Sequence, residues 1–104
     1  MFLPGAPRRE LPDHFLALAN PTRLRIVEYL AQAGERSVND LAQHLRMSQP
    51  RVSWHLRRLR LGGVIQGRRD GREVYCSLDL DNIRRRREEL DRLLGVTVTG
   101  GERQ

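Results

Sequence analysis

Apolar residues recur at helical spacing along most of the chain, and the pattern changes period once. Phe15, Leu16, Leu18 and Ala19 follow Asp13, a residue suited to cap a helix, and this short run ends at Asn20-Pro21. Asn20 caps the next helix, with Pro21 at its first position, where a missing N–H does no harm. Leu24, Val27, Tyr29, Leu30 and Ala31 give that helix one apolar face, and Gly34 is suited to end it. The stretch from Ser37 to Asp40 has the shape of a capping box, with Asp in place of Glu. It opens a helix carrying Val38, Leu41, Ala42 and Leu45 on one side. After the link Arg46-Met47, Ser48 caps another helix with Pro50 in its first turn. Val52, Leu56 and Leu59 recur there at i, i+4 and i+7 and predict its buried stripe, and Gly62-Gly63 stops it.

Two β-prone runs come next, Val64–Arg69 and Arg72–Leu78, with Asp70-Gly71 between them. Asp-Gly at that place predicts a hairpin, because a two-residue turn wants positive φ. Val74, Cys76 and Leu78 share one face of the second strand. A final helix spans about Leu80 to Leu94, capped by Asp79 or Asp81 and closed by Gly95. Its residues Leu80, Ile83, Leu90 and Leu94 fall on a heptad-like seam with Arg87 between them. Arg87 either fixes the register of a dimer or packs its stem and keeps its head in water. Residues 1–10 and 96–104 lack periodicity and read as a flexible arm and a flexible tail around one domain, 11–95. The fold class is mainly α (α+β): a winged helix-turn-helix of about five helices with a two-stranded β-hairpin wing.

Composition bounds the chemistry. The chain has 104 residues, only 38% hydrophobic and 5% aromatic, so its core is small and burial against a partner subunit is expected. One cysteine allows no internal disulfide and no thiolate cluster. Nothing approaches the ~20 apolar residues of a membrane helix, and the N-terminus does not have the form of a secretion signal. A cytoplasmic protein is expected. The net charge is +6, and all the basic residues are Arg. From Arg46 to Arg72 eight Arg stand against one acid, Asp70, a local +7 that leaves the remainder at −1. A genome rich in G and C accounts for the choice of Arg over Lys, but not for the clustering.

The helices 38–45 and 49–61, joined by a tight link and followed at once by a hairpin, place that charge on a reading helix and a wing. With Val52, Leu56 and Leu59 facing inward, Pro50, Trp54 and Arg57 point away, flanked by Gln49, Arg51, Ser53 and Arg58. Gln matches adenine and Arg matches guanine in two places each, and Ser is tolerant. Ser48 and the free N–H groups of the helix start can hold a phosphate. Trp54, at this angle, is expected exposed, although Trp is more often core. His55 lies between the two faces and either bonds a phosphate or ties the helix to its neighbour. Arg68, Arg69 and Arg72 make the wing tip a cationic finger. His14 and His44 lie on different helices without ligand spacing and read as surface or satisfied histidines. Cys76 reads as a buried strand residue rather than a thiol sensor.

The pieces LANPTRLRIVEYL (18–30), SVNDLAQHL (37–45), SQPRVSWHLRRLRLGGVI (48–65) and GREVYCSL (71–78) resemble the ArsR/SmtB family of bacterial winged-helix repressors. The resemblance implies a homodimer that represses transcription from an inverted-repeat operator and dimerises through the first and last helices. The interface set is then Phe15, Leu16, Leu80, Ile83, Arg87, Leu90 and Leu94. Ser48, Gln49, Arg51, Ser53 and His55 take family roles as DNA contacts, and the 68–72 tip is the wing. The metal-sensing members carry a thiolate pair where this chain has Ser37 and Asn39. Others use Asp and His on the last helix, which here has Asp81 and Asp91 but no His. No metal at either site and no cofactor are therefore expected, and a small-molecule effector is left open. The reading is a DNA-binding transcriptional regulator, not an enzyme, since no catalytic constellation has a credible context. The alternative is a winged-helix interaction module that acts as an anti-activator of a DNA-binding partner. The +7 block speaks against it, because protein interfaces are depleted of charge at their core.

Overall fold

A computed structural model describes residues 10–96; residues 1–9 and 97–104, most of the expected arm and tail, lie outside the described part. The order is α1 (Glu10–Leu18), α2 (Pro21–Ala33), β1 (Arg36–Ser37), α3 (Val38–Leu45), α4 (Gln49–Leu61), β2 (Ile65–Asp70), β3 (Glu73–Leu78) and α5 (Leu80–Leu94). The helix starts follow the capping chemistry. Asn20 accepts from the Arg23 N–H, Ser37 from that of Asp40, Ser48 from that of Arg51, and Asp79 from that of Asn82. The first helix already includes Glu10, ahead of the expected Asp13, and Pro12 is tolerated near its N-terminal end, where no N–H is needed.

Two features of the sheet depart from the sequence reading. The wing is not a lone hairpin: β1 pairs antiparallel with β3, giving a three-stranded sheet in the order β1-β3-β2. Two residues carry no periodicity, so nothing in the pattern marked them. The turn is also one residue later than Asp70-Gly71. Asp70 pairs with Glu73, leaving Gly71-Arg72 as the loop. Gly71 has φ +63° and Arg72 is not among the residues with positive φ, so glycine takes the single left-handed position at the start of the turn.

The core lies where α2, α3 and α4 meet the sheet. Ile26, Leu41, Val52, Leu59 and Val64 are its fully buried side chains, joined by Leu30, Leu45, Leu56, Ile65 and Cys76. The outer helices grip the C-terminal end of α4. Gly62 lies so close to α1 that an added Cβ would stand 2.5 Å from the Ala17 Cβ and 2.8 Å from the Asp13 carbonyl oxygen. The buried His14 donates from Nδ1 to the Gly62 carbonyl at 2.8 Å, and Asn82 of α5 donates to the Gly63 carbonyl at 2.8 Å.

No residue of α5 is fully buried. Ile83 packs on the core, Leu90 is half-buried, and Leu80 and Leu94 are exposed, as are Phe15 and Leu16 of α1. Arg87, placed in the seam by its spacing, is exposed in this chain. The cation drawn inward is its neighbour Arg86, 3.6 Å from Glu89, with both side chains about 15% exposed. Among the described residues, Arg86 Nε and Glu89 Oε1 have no hydrogen-bond partner.

Candidate nucleic-acid interface

The inward stripe of α4 fixes what its outer side presents. With Val52, Leu56 and Leu59 buried, Ser48, Gln49, Pro50, Arg51, Ser53, Trp54, Arg57, Arg58 and Arg60 are exposed. Trp54 is 50% exposed, with the guanidinium carbons of Arg23 and Arg58 each 5.7 Å from its ring centroid. Such cation–π contacts hold an indole in place without hiding it. Gln49 donates through Nε2 to Asn39 Oδ1 at 2.7 Å, which ties the start of α4 to α3. One Gln49 N–H and its carbonyl stay open, the pair of groups that matches adenine.

His55 does not share that surface. It is 6% exposed, and its Nδ1 accepts from Arg23 Nη1 at 3.2 Å. Burial first, then the charges of Arg23 and Arg51, pull its pKa below the ordinary value. Of the two readings open for His55, the packing in this chain is the internal tie, because the α4 rotation that exposes Trp54 turns the next residue toward α1 and α2.

The wing arginines divide by strand alternation. Gly67, Arg69, Val74 and Cys76 share the sheet face that looks toward α4, where Val38, Ser53, Leu56, Arg57 and Arg60 complete a cleft of about 180 Å³. Arg68 points the other way. It makes a two-pronged ion pair with Glu35, Nε and Nη2 each 2.9 Å from a carboxylate oxygen, and lies 4.9 Å above the Tyr75 ring. The hydrogen bond from Arg68 holds the Glu35 carboxyl below its usual range. In this chain Arg68 thus lies on the face of the strand opposite Arg69, its charge matched by Glu35. Arg72 lines a second groove with Asn39, Gln49, Ser53 and Glu73 between the wing and the start of α4. Among the described residues Arg51, Arg57, Arg69 and Arg72 form no ion pair.

Cys76 is 3% exposed, and burial pushes its thiol pKa up against the opposing charge of Arg60, which disfavours the thiolate. His44 stacks on Tyr29 at 3.7 Å. At the positions of the family's thiolate pair, Ser37 is buried and caps α3, while Asn39 is engaged by Gln49. A hydroxyl and a neutral amide do not replace two thiolates for a soft metal ion, and among the described residues no group of three His, Cys, Asp or Glu could hold one.

Three residues escaped the sequence reading. Asn39 and Glu35 act through partners 10 and 33 positions away, which periodicity does not report. Arg23 left one trace: a cation in the first turn of a helix, where the dipole disfavours it, implies an anchor elsewhere.

A capped helix pair whose second helix is exposed and basic, followed by a three-stranded wing, defines a winged-helix DNA-binding domain. The family model described as "Bacterial regulatory protein, arsR family" matches residues 20–66. The chain is 37% identical over 65 residues to the transcriptional repressor SdpR of Bacillus subtilis, covering 62% of this chain and 71% of that protein. It is 41% identical over 78 residues to the arsenic resistance transcriptional regulator ArsR1 of Pseudomonas putida, covering 72% of this chain and 61% of that one. Against the first such relatives the match spans half to three fifths of their length. The solution structure of the homodimeric winged helix-turn-helix DNA-binding domain Mb0332 of Mycobacterium bovis superposes with a TM-score of 0.67 at 30% identity, over 89% of this chain and 90% of that one. The chain belongs to the ArsR family of bacterial regulatory proteins.

Proposed function

We propose that the protein is a homodimeric, sequence-specific transcriptional repressor that binds an inverted-repeat operator and does not sense metal at the family's usual positions. One observation carries this reading: Arg51, Arg57, Arg69 and Arg72, unpaired among the described residues, stand on the outer side of α4 and on the wing beside it. Gln49, Arg51, Ser53, Trp54 and Arg57 read base edges in the major groove. Ser48 and Pro50 sit at the phosphate-facing helix start, with Arg58 on the flank, and Arg69 and Arg72 follow the backbone or a narrow minor groove. The uncovered apolar residues Phe15, Leu16, Leu80 and Leu94, with Ile83, Leu90 and Arg87 beside them, form the dimer seam. The homodimeric Mb0332 domain supports a two-fold partner.

A two-fold dimer sets half-sites about 10 base pairs apart. The test is an electrophoretic shift with the DNA upstream of the protein's own gene against a random duplex of equal length. Preferential retardation of the upstream DNA, weakening steeply with salt, is expected. No retardation of either duplex at micromolar dimer refutes the reading and favours the protein-interaction alternative.

A further inference from the structure

Arg23 plays no part in the DNA-facing surface, yet it is 6% exposed, and from α2 its side chain reaches both α1 and α4. Its backbone N–H is capped by Asn20 at 3.0 Å, so it stands in the first turn of α2, where the positive end of that helix repels a cation. Its guanidinium is held from outside. Nε donates to the Ala17 carbonyl at 2.6 Å, and Nη2 makes a longer bond of 3.4 Å to that of Leu16. Both acceptors lie in the last turn of α1; the Leu16 carbonyl also accepts the Ala19 N–H at 3.3 Å, so Ala17 is the main anchor. Nη1 donates to His55 Nδ1 at 3.2 Å, and the same guanidinium lies against the Trp54 indole. An arginine only donates, so His55 is the neutral tautomer with its proton on Nε2.

We propose that Arg23 is a positioning residue for DNA reading, fixing the N-terminal half of α4 to the last turn of α1 through His55 and Trp54. The proposal rests on α4 being the reading helix. A helix axis is set by two points. The C-terminal point of α4 is the grip of His14 and Asn82 on Gly62 and Gly63. The Arg23–His55 bond supplies the other, one turn from Arg51. Base reading tolerates errors of only ~0.5 Å or 10–20°, so a pivot about the C-terminal grip misplaces Gln49 and Arg51 first. The planar fork of Arg spans all three acceptors at once; a Lys ammonium on the same stem does not reproduce it. Because α1 also carries Phe15 and Leu16, the same side chain sets the angle of each reading helix against the dimer seam.

The test uses the full chain as wild type, Arg23→Gln and Arg23→Lys. Dimer mass and thermal melting are recorded first, then affinity for the upstream DNA and for a random duplex. For Arg23→Gln we expect a folded dimer whose affinity for the specific DNA drops about tenfold or more, the worth of one base contact, with random-duplex affinity changed less than threefold. His55 should titrate by NMR closer to its ordinary value, and Arg23→Lys should not restore specificity. Equal weakening on both duplexes, or wild-type affinity on both, overturns the proposal. Should Arg23→Gln fail to fold, His55→Phe and His55→Gln decide. Gln keeps an acceptor and should retain more specificity than Phe, and equal specificity in the two overturns the proposal. A wild type that shifts neither duplex refutes the DNA-binding reading instead, so the two failures are distinct.

Discussion

The wing gives the sharpest quantitative expectation, because adjacent arginines stand on opposite faces of one strand. Arg69 shares its face with Gly67 and looks toward α4, while Arg68 is engaged by both oxygens of Glu35. Each neutralised phosphate contributes ~0.9 to the slope of log affinity against log salt on duplex DNA. Arg69→Ala should remove one such contribution. Between 50 and 200 mM salt, wild type should then lose about 3.5-fold more affinity than this variant does. Arg68→Ala should leave the slope unchanged, since the charge it deletes was already matched within the protein. Glu35→Gln serves as the control: it frees Arg68 on the back of the wing and should not steepen the slope. Fluorescence anisotropy with labelled duplex at five or six salt concentrations resolves the difference. A flattening by Arg68→Ala equal to that of Arg69→Ala would refute the assignment of faces.

Other expectations follow from the packing. Gly62→Ala places a Cβ against Ala17 and the Asp13 carbonyl, so α1 must move away; we expect a loss of ~1–3 kcal/mol in denaturant unfolding and weaker dimerisation by sedimentation. His55 is held below its ordinary pKa, near 6.5, by burial and then by Arg23 and Arg51. Just below that pH the unfolded chain therefore binds more protons than the folded one, and stability falls as the pH drops from about 6.5 toward the lower folded value. His55→Gln should lose this part of the acid sensitivity, and an unchanged pH dependence of unfolding would contradict the buried neutral ring. Arg51→Ala should lower affinity for the best DNA sequence by ~1–3 kcal/mol and relax preference at one base pair, read by competition among single-base variants of the duplex.

Local chemistry makes most elements legible in the sequence. Asn20, Ser37, Ser48 and Asp79 cap helices by the hydrogen bonds their positions suggest, and the Val52, Leu56, Leu59 spacing faces the core. The exposure of Trp54 follows from that same stripe. What stayed hidden depends on contacts between distant segments. β1 exists because Arg36 and Ser37 meet Cys76 and Tyr75, 40 and 38 residues downstream, by pairing rather than by pattern. Arg68 and Arg69 look alike in sequence, and only the register of the hairpin, with its turn at Gly71-Arg72, separates them. His55 sat on the boundary of two faces, and the arginine that decided its orientation lies 32 residues earlier.

The incomplete burial of α5 has a consequence for how such a regulator responds to its own abundance. A helix that buries no residue of its own owes part of its order to whatever covers Leu80 and Leu94. If a second copy covers them, as in the homodimer proposed above, folding and DNA occupancy become second-order in concentration. Dilution then removes competent dimers faster than it removes chains. Growth and division alone would turn a shallow change in protein number into a steep change in repression, with no ligand required.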